Sequence, residues 1–146
     1  MKNVTVKEVY TSLTKEPPLI GSDALLKDAI RVLLKDPLSR SIYVVNDDGK
    51  LAGIVSTLML LKVTHYLQGK KTVMKDDIFN AVRIAKAETI KDIMHPPIYV
   101  YEDTKILDVL EMLSRENIQE LPVVDKDKRV IGDLNCLEIL KRIWEE

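Results

Sequence analysis

The chain is poor in the features that mark stapled, membrane-spanning or catalytic proteins. A single cysteine, Cys136, stands among 146 residues, which excludes an intrachain disulfide and fits a reducing compartment. No stretch approaches the ~18 consecutive apolar residues of a membrane helix, and charged residues rather than an apolar run follow Met1-Lys2-Asn3-Val4-Thr5. A cytoplasmic protein is therefore expected. Charge of one sign is also lacking: 22 basic and 23 acidic residues leave a formal net charge of −1. With no long-range pull towards phosphate backbones or anionic lipid, neither nucleic acid nor membrane is expected as a partner. Only five glycines are present, and two of them recur at one place in a repeat. No phosphate-cradling glycine loop, nucleophile with base and orienter, or metal cluster is evident, so an enzyme is not expected.

What is there is a repeat, with a shift of about 80 residues. Thr5-Val6-Lys7-Glu8-Val9 returns as Thr89-Ile90-Lys91-Asp92-Ile93, and Pro17-Pro18-Leu19-Ile20 as Pro97-Ile98-Tyr99-Val100. Leu26 to Leu34 matches Ile106 to Ser114, and Tyr43-Val44-Val45-Asn46 lies over Pro122-Val123-Val124-Asp125. Leu51-Ala52-Gly53 matches Val130-Ile131-Gly132, and Leu61-Lys62 matches Leu140-Lys141. Chance does not align so many segments in one order.

Each copy reads as the same series. Thr5 with Glu8, and Thr89 with Asp92, have the spacing of a capped turn. A short strand follows the prolines, and a helix is expected to start at Ser22-Asp23 or Asp103-Thr104, with apolar residues at helical spacing behind it. Ile42 to Val45 then turns through Asp47-Asp48-Gly49 into Leu51 to Val55, a hairpin signal. Its counterpart, Leu121 to Val124 into Val130 to Leu134, lacks the glycine. Helices over Leu58 to Leu67 and Leu137 to Trp144 close the copies. The expected fold is α+β: two β-α-β-β-α repeats, residues 1–68 and 88–146, joined by a linking helix over 69–87. A lone copy would leave one face of a small sheet uncovered, so the two are expected to pack sheet to sheet about a pseudo-twofold axis.

These segments resemble the CBS-domain family, above all Leu121-Pro122-Val123-Val124-Asp125 with Val130-Ile131-Gly132, and the stretch from Tyr43 to Ser56. The tandem resembles the pair called a Bateman module, and the chain is similar to small prokaryotic proteins made of such a pair and little else. The resemblance implies a cleft with two pseudo-equivalent positions for adenosine-containing ligands: AMP, ADP, ATP, NAD or S-adenosylmethionine. No cofactor is required. In that family a Ser or Thr after the last strand contacts phosphate, and an acid three positions later holds the ribose diol. Carried over, the first copy supplies Ser56 and Thr57 with Met59 in the acid's place; the second supplies Asn135 and Glu138. Backbone around Ile20, Ser41 and Ile42, and around Val100, Glu120, Leu121 and Pro122, would frame adenine. Arg40 stands where a basic residue faces phosphates, and Asp133 takes the place of Ile54.

Simpler structural roles stand beside these. Ser56 and Asn135 are good helix N-caps, and Glu138 at the third helical position can bond back to Asn135. Arg40 reads equally as a solvated loop residue. Cys136 reads as an inert thiol, His65 and His95 lack metal-ligand spacing, and Lys70-Lys71 is a solvated face. The functional expectation is a ligand-sensing regulatory module, forming a homodimer and read by an unknown protein partner. The alternative is a protein-interaction or dimerisation adaptor with a vestigial cleft.

Overall fold

A computed structural model describes residues 1–11, 16–68 and 89–145. The expected linking helix lies outside the described residues. Two sheets of three strands form, each with the same topology. The first contains β1 (Leu19–Gly21), β2 (Ser41–Val45) and β3 (Leu51–Ser56), and the second β4 (Val100–Tyr101), β5 (Glu120–Val124) and β6 (Val130–Asn135). In each, the first strand runs parallel and the third antiparallel to the second. Helices α1 (Leu26–Leu34) and α2 (Thr57–Leu67) follow β1 and β3; α3 (Ile106–Glu116) and α4 (Cys136–Trp144) follow β4 and β6. The fold is thus two β-α-β-β-α repeats.

Alternation sorts the strand residues. Ile42, Val44 and Val55 turn to the helices of the first copy, where they meet Ala29, Leu33, Met59, Leu60 and Val63. Leu121, Val123 and Leu134 do the same against Ile106, Val109, Leu113 and Ile139. The opposite strand faces meet each other across the molecule through Tyr43, Leu51 and Val124. The missing hairpin glycine is answered by a lysine: Gly49 takes φ +78°, and its counterpart Lys128 takes φ +63°. Both donate their N–H to the residue three back, Asn46 and Asp125.

The opening turns do not pack on their own copies. Val4, Val6 and Val9 lie in the second core, while Ile90 and Ile93 lie in the first. Backbone bonds fix the exchange: Val6 N–H donates to Thr104 and Ile106 N–H to Val4, while Ile90 N–H donates to Ala24 and Lys91 N–H to Ser22. The same contacts explain why the helices begin at Leu26 and Ile106, two to four residues beyond the expected starts. Leu25 is held extended in a bridge to Thr89, and Lys105 in a bridge to Thr5. The capped turns themselves form as expected: Thr5 N–H donates to Glu8 Oε2 at 2.8 Å and Thr89 N–H to Asp92 Oδ2 at 3.0 Å.

The exchange also explains the repeated glycine. Tyr10 lies across Gly132, and Met94 with the His95 carbonyl lies across Gly53. A methyl group at either position would collide with the turn donated by the other copy.

Candidate functional site

The cleft between the sheets is apolar at its centre and polar at one end. Tyr43, Leu51 and Val124 fill the centre with Ile54, Tyr99 and Val130. Leu51 N–H donates to Lys128 O at 2.9 Å, and the Lys128 ammonium sits 5.6 Å from the Tyr99 ring centroid. These contacts hold the hairpin of one copy against that of the other.

The polar end gathers several residues singled out from the sequence. Cross-strand pairing puts Glu120 beside Asn135 and Pro122 beside Asp133, so all four share the face of the second sheet that looks at the first copy. Glu120 Oε1 accepts from Arg40 N–H at 2.6 Å, and the Ser41 amide faces the same carboxyl. The Tyr43 hydroxyl donates to Asp133 Oδ1, and Asn135 Nδ2 donates to Leu38 O at 3.4 Å. Residues 38–43 of the first copy are therefore tied to the strand ends of the second.

Burial makes this end electrostatically unusual. Desolvation, then the charge of Asp133, pushes Glu120 up to about 8, against the pull of the Arg40 and Ser41 amides. Desolvation likewise raises Asp133 to about 7, although its bond from Tyr43 pulls it down; Glu138 and Asp36 add to the rise. Tyr43 is held well above the usual tyrosine range by burial and then by Asp133 and Glu120, so it stays a donor. The Arg40 side chain is turned to its own loop, donating through Nη1 to Pro37 O and Ser39 O.

Both helix starts next to the cleft are already capped. Ser56 Oγ accepts from Met59 N–H at 3.1 Å, and Thr57 N–H donates to Arg40 O. In the second copy Asn135 Oδ1 accepts from Leu137 N–H at 2.8 Å, and Cys136 N–H donates to Gln119 O. Glu138 has no exposed surface and accepts from Asn135 N–H through Oε1 at 3.0 Å. The side chains of Ile20 and Ile42, and of Leu121 and Val100, belong to the two helix-facing cores, which leaves their backbones for any adenine contact. Met59 is likewise a core residue of the first copy.

Sequence reasoning missed Tyr43, Leu38 and Asp36 as members of this cluster. The substitution of Asp133 for an aliphatic residue was a visible signal that a polar partner must face it, but only the twofold arrangement identifies Tyr43. Among the described residues no group of three or more His, Cys, Asp or Glu side chains is placed to hold a metal ion, and no helix is long and apolar enough to cross a membrane.

The CBS domain family model matches residues 6–66 and 90–145. The chain belongs to the CBS-domain family. Among solved CBS-domain structures, the CBS domain-containing protein TM0935 of Thermotoga maritima is 31% identical, with a TM-score of 0.79 over 99% of this chain and 96% of that one. The CBS domain pair of protein MJ0100, solved with 5′-methylthioadenosine and S-adenosyl-L-methionine, is 26% identical; its TM-score is 0.72, covering 96% of this chain and 95% of that one. The uncharacterised protein MJ1426 of Methanocaldococcus jannaschii is 29% identical over 82% of both chains. Other relatives contain the CBS pair as a part: the chain spans 32% of the choline transport ATP-binding protein OpuBA of Bacillus subtilis, at 27% identity over 96% of its own length. Their transport and catalytic activities are those of the larger proteins.

Proposed function

We propose that this CBS pair is a ligand-sensing regulatory module whose cleft takes an adenosyl group, with the two halves of the cleft differing in the charge they accept. The observation that carries the reading is the asymmetry of the cleft. Its second-copy half holds Glu120, Asp133 and Glu138, all buried. The first-copy half has no carboxylate at the matching positions Ser41, Ile54 and Met59 and carries the Ser56 hydroxyl. The Arg40 guanidinium, turned to Pro37 and Ser39, would have to swing to reach a ligand. A phosphate entering beside these buried acids must either keep them protonated or, once they ionise, meet like charge at low dielectric, where a contact costs on the order of several kcal/mol. The second-copy half therefore suits an adenosyl group without phosphate, and phosphates are expected towards Ser56 and, once its guanidinium swings from Pro37 and Ser39, Arg40. The two ligands of the MJ0100 pair are adenosyl compounds free of phosphate, which supports the same choice. In this reading Glu138 takes the ribose diol, for which a ligand must uncover it and replace its bond to Asn135 N–H. Occupancy then shifts the relation between the copies, and a separate protein reads the shift.

Calorimetry with 5′-methylthioadenosine, S-adenosylmethionine, AMP and ATP tests this reading. The phosphate-free compounds should bind the second-copy end, and Glu138→Gln should weaken them about tenfold or more, the worth of a charge-assisted hydrogen bond. Equal binding by that variant would reduce Glu138 to a helix cap.

A second reading is favoured by the contacts that already fill the polar end, Arg40 to Glu120 and Asn135 to Leu38. In it the cleft is vestigial and the chain is a dimerisation or interaction adaptor. Both readings include a homodimer. A groove of about 500 Å³ lies between α1 and α2, lined by Ile30, Leu34, Pro37, Leu60 and Leu61 among others. Leu34, Leu61 and Trp144 are 76%, 65% and 81% exposed, which is much apolar surface left uncovered by the other described residues. Absence of binding by all four compounds, with the dimer intact, would select the adaptor.

A further inference from the structure

Glu120, Asp133 and Glu138 are buried together at the polar end. Glu120 is 4% exposed. Its Oε1 accepts from the loop, while its Oε2 is buried without a hydrogen-bond partner among the described residues. A bare carboxylate oxygen held out of water is the place where a proton is retained. Asp133 is diagonal to Glu120 on the same face of the β5–β6 ladder, the separation at which cross-strand side chains still interact. Glu138 approaches from α4, Asp36 from the loop after α1, and Tyr43 from β2. Arg40 lends only its backbone N–H to this group, because its guanidinium is turned to Pro37 and Ser39.

The parts facing these acids are not held equally. β5 and β6 are locked by their ladder and by the core beneath them. The loop over residues 38–40, leading into Ser41 at the start of β2, is attached to them by the Arg40 amide on Glu120 and by the long Asn135–Leu38 bond. Leu38 and Arg40 are exposed, so water reaches the acids most directly by moving this loop.

We propose that the Glu120–Asp133 pair is a proton-operated latch. Loaded with protons, it holds residues 38–41 of the first copy against the second sheet and closes that end of the cleft. When the protons leave to solvent, the carboxylates repel each other and the neighbouring acids, water enters, and the loop lifts away. The latch belongs to the ligand-free chain and does not depend on which compound the cleft takes. It makes the second-copy end accessible at alkaline pH and closed at acid pH.

Amide hydrogen exchange at Arg40 and Ser41, followed by NMR on the full chain from pH 6 to 9 and corrected for base catalysis, reads the latch directly. Protection at both amides should fall about tenfold or more across the step, as in a local opening. The side-chain carboxyl carbons of Glu120 and Asp133 should titrate in the same range, above pH 6. In the double variant Glu120→Gln with Asp133→Asn, the amide oxygens accept the same bonds without charge, and protection should persist throughout. Carboxyl carbons titrating at ordinary acid pH, constant protection in the parent, or equal loss in the variant would each overturn the proposal. Should the double variant not fold, the titration and exchange of the parent decide it alone.

Discussion

Replacing Gly132 with alanine tests the exchange of opening turns, because the collision is with a residue more than a hundred positions away. A Cβ on Gly132 would stand inside contact distance of Tyr10 Cε2 and 2.5 Å from Cδ2. Overpacking of this kind costs about 1–3 kcal/mol. Alanine recovers about 0.5–1 kcal/mol relative to glycine within a strand. The ring can swing outward, but it then gives up its packing in the second core and the bond from its hydroxyl to Glu102 Oε2 at 3.1 Å, worth about 1 kcal/mol. The net expectation is a loss of about 1–2 kcal/mol. In a Tyr10→Ala background the obstacle is gone, and Gly132→Ala should be neutral or stabilising. Urea unfolding of the four proteins closes the cycle, with unchanged slopes confirming that only stability moved. A coupling under about 0.5 kcal/mol, the range of independent sites, would mean that the first turn does not lie on Gly132. Gly53 gives an internal contrast. Its Cβ would meet Met94 Sδ at 2.6 Å but also the His95 carbonyl at 2.8 Å. That carbonyl is fixed by the paired bonds between His95 and Ile54, so Met94→Ala should rescue Gly53→Ala only in part.

The buried acids make stability fall as pH rises, the reverse of a salt-bridged carboxylate. Glu120 goes from 4.5 unfolded to about 8 folded, and Asp133 from 3.8 to about 7; between pH 5 and 7 the folded chain thus holds at least one extra proton. Each such proton removes about 1.4 kcal/mol of stability per pH unit. Denaturation at pH 5, 6 and 7 should show this slope in the parent and lose it in the Glu120→Gln, Asp133→Asn variant; equal slopes would show that these acids titrate normally. Light scattering at micromolar concentration should report a dimer, and Leu61→Glu, on the rim of the α1–α2 groove, should give a folded monomer. A monomeric parent would leave the exposed helix faces without the proposed cover.

Local signals were legible in the sequence because each is written within a few residues. The capped turns at Thr5 and Thr89, the hairpin at Gly49 and the helix caps at Ser56 and Asn135 all formed as their spacing required. The repeat itself implied two equal units with one sheet each. What was not legible is carried by the backbone across long separations. The bonds joining Val6 to Thr104 and Ile90 to Ala24 use main-chain groups that every residue possesses, so no side chain announces them. Their one trace in the sequence is the repeated glycine, whose reason is steric and lies in the other copy. The late helix starts follow from the same cause, since residues that could have opened α1 and α3 are spent on bridges to the exchanged turns.

The candidate site was half legible for a related reason. Differences between the copies stood out as soon as they were aligned: Asp133 against Ile54, Glu120 against Ser41, Glu138 against Met59. Their consequences depend on what faces each across the twofold. Met59 and Glu138 occupy one position in the repeat, and both are buried. The methionine joins the first core, where the Ser56 hydroxyl already serves the Met59 amide. The glutamate turns back to the Asn135 amide, a bond that Met59 cannot supply. One acid at the second-copy position is thus satisfied locally, by its own helix start. Asp133 and Glu120 are not local in this way: their donors Tyr43 and Arg40 come from the first copy. The second copy's departures from the first are therefore matched by polar groups the first copy presents to it. That matching is what turns two similar repeats into one cleft with distinguishable halves.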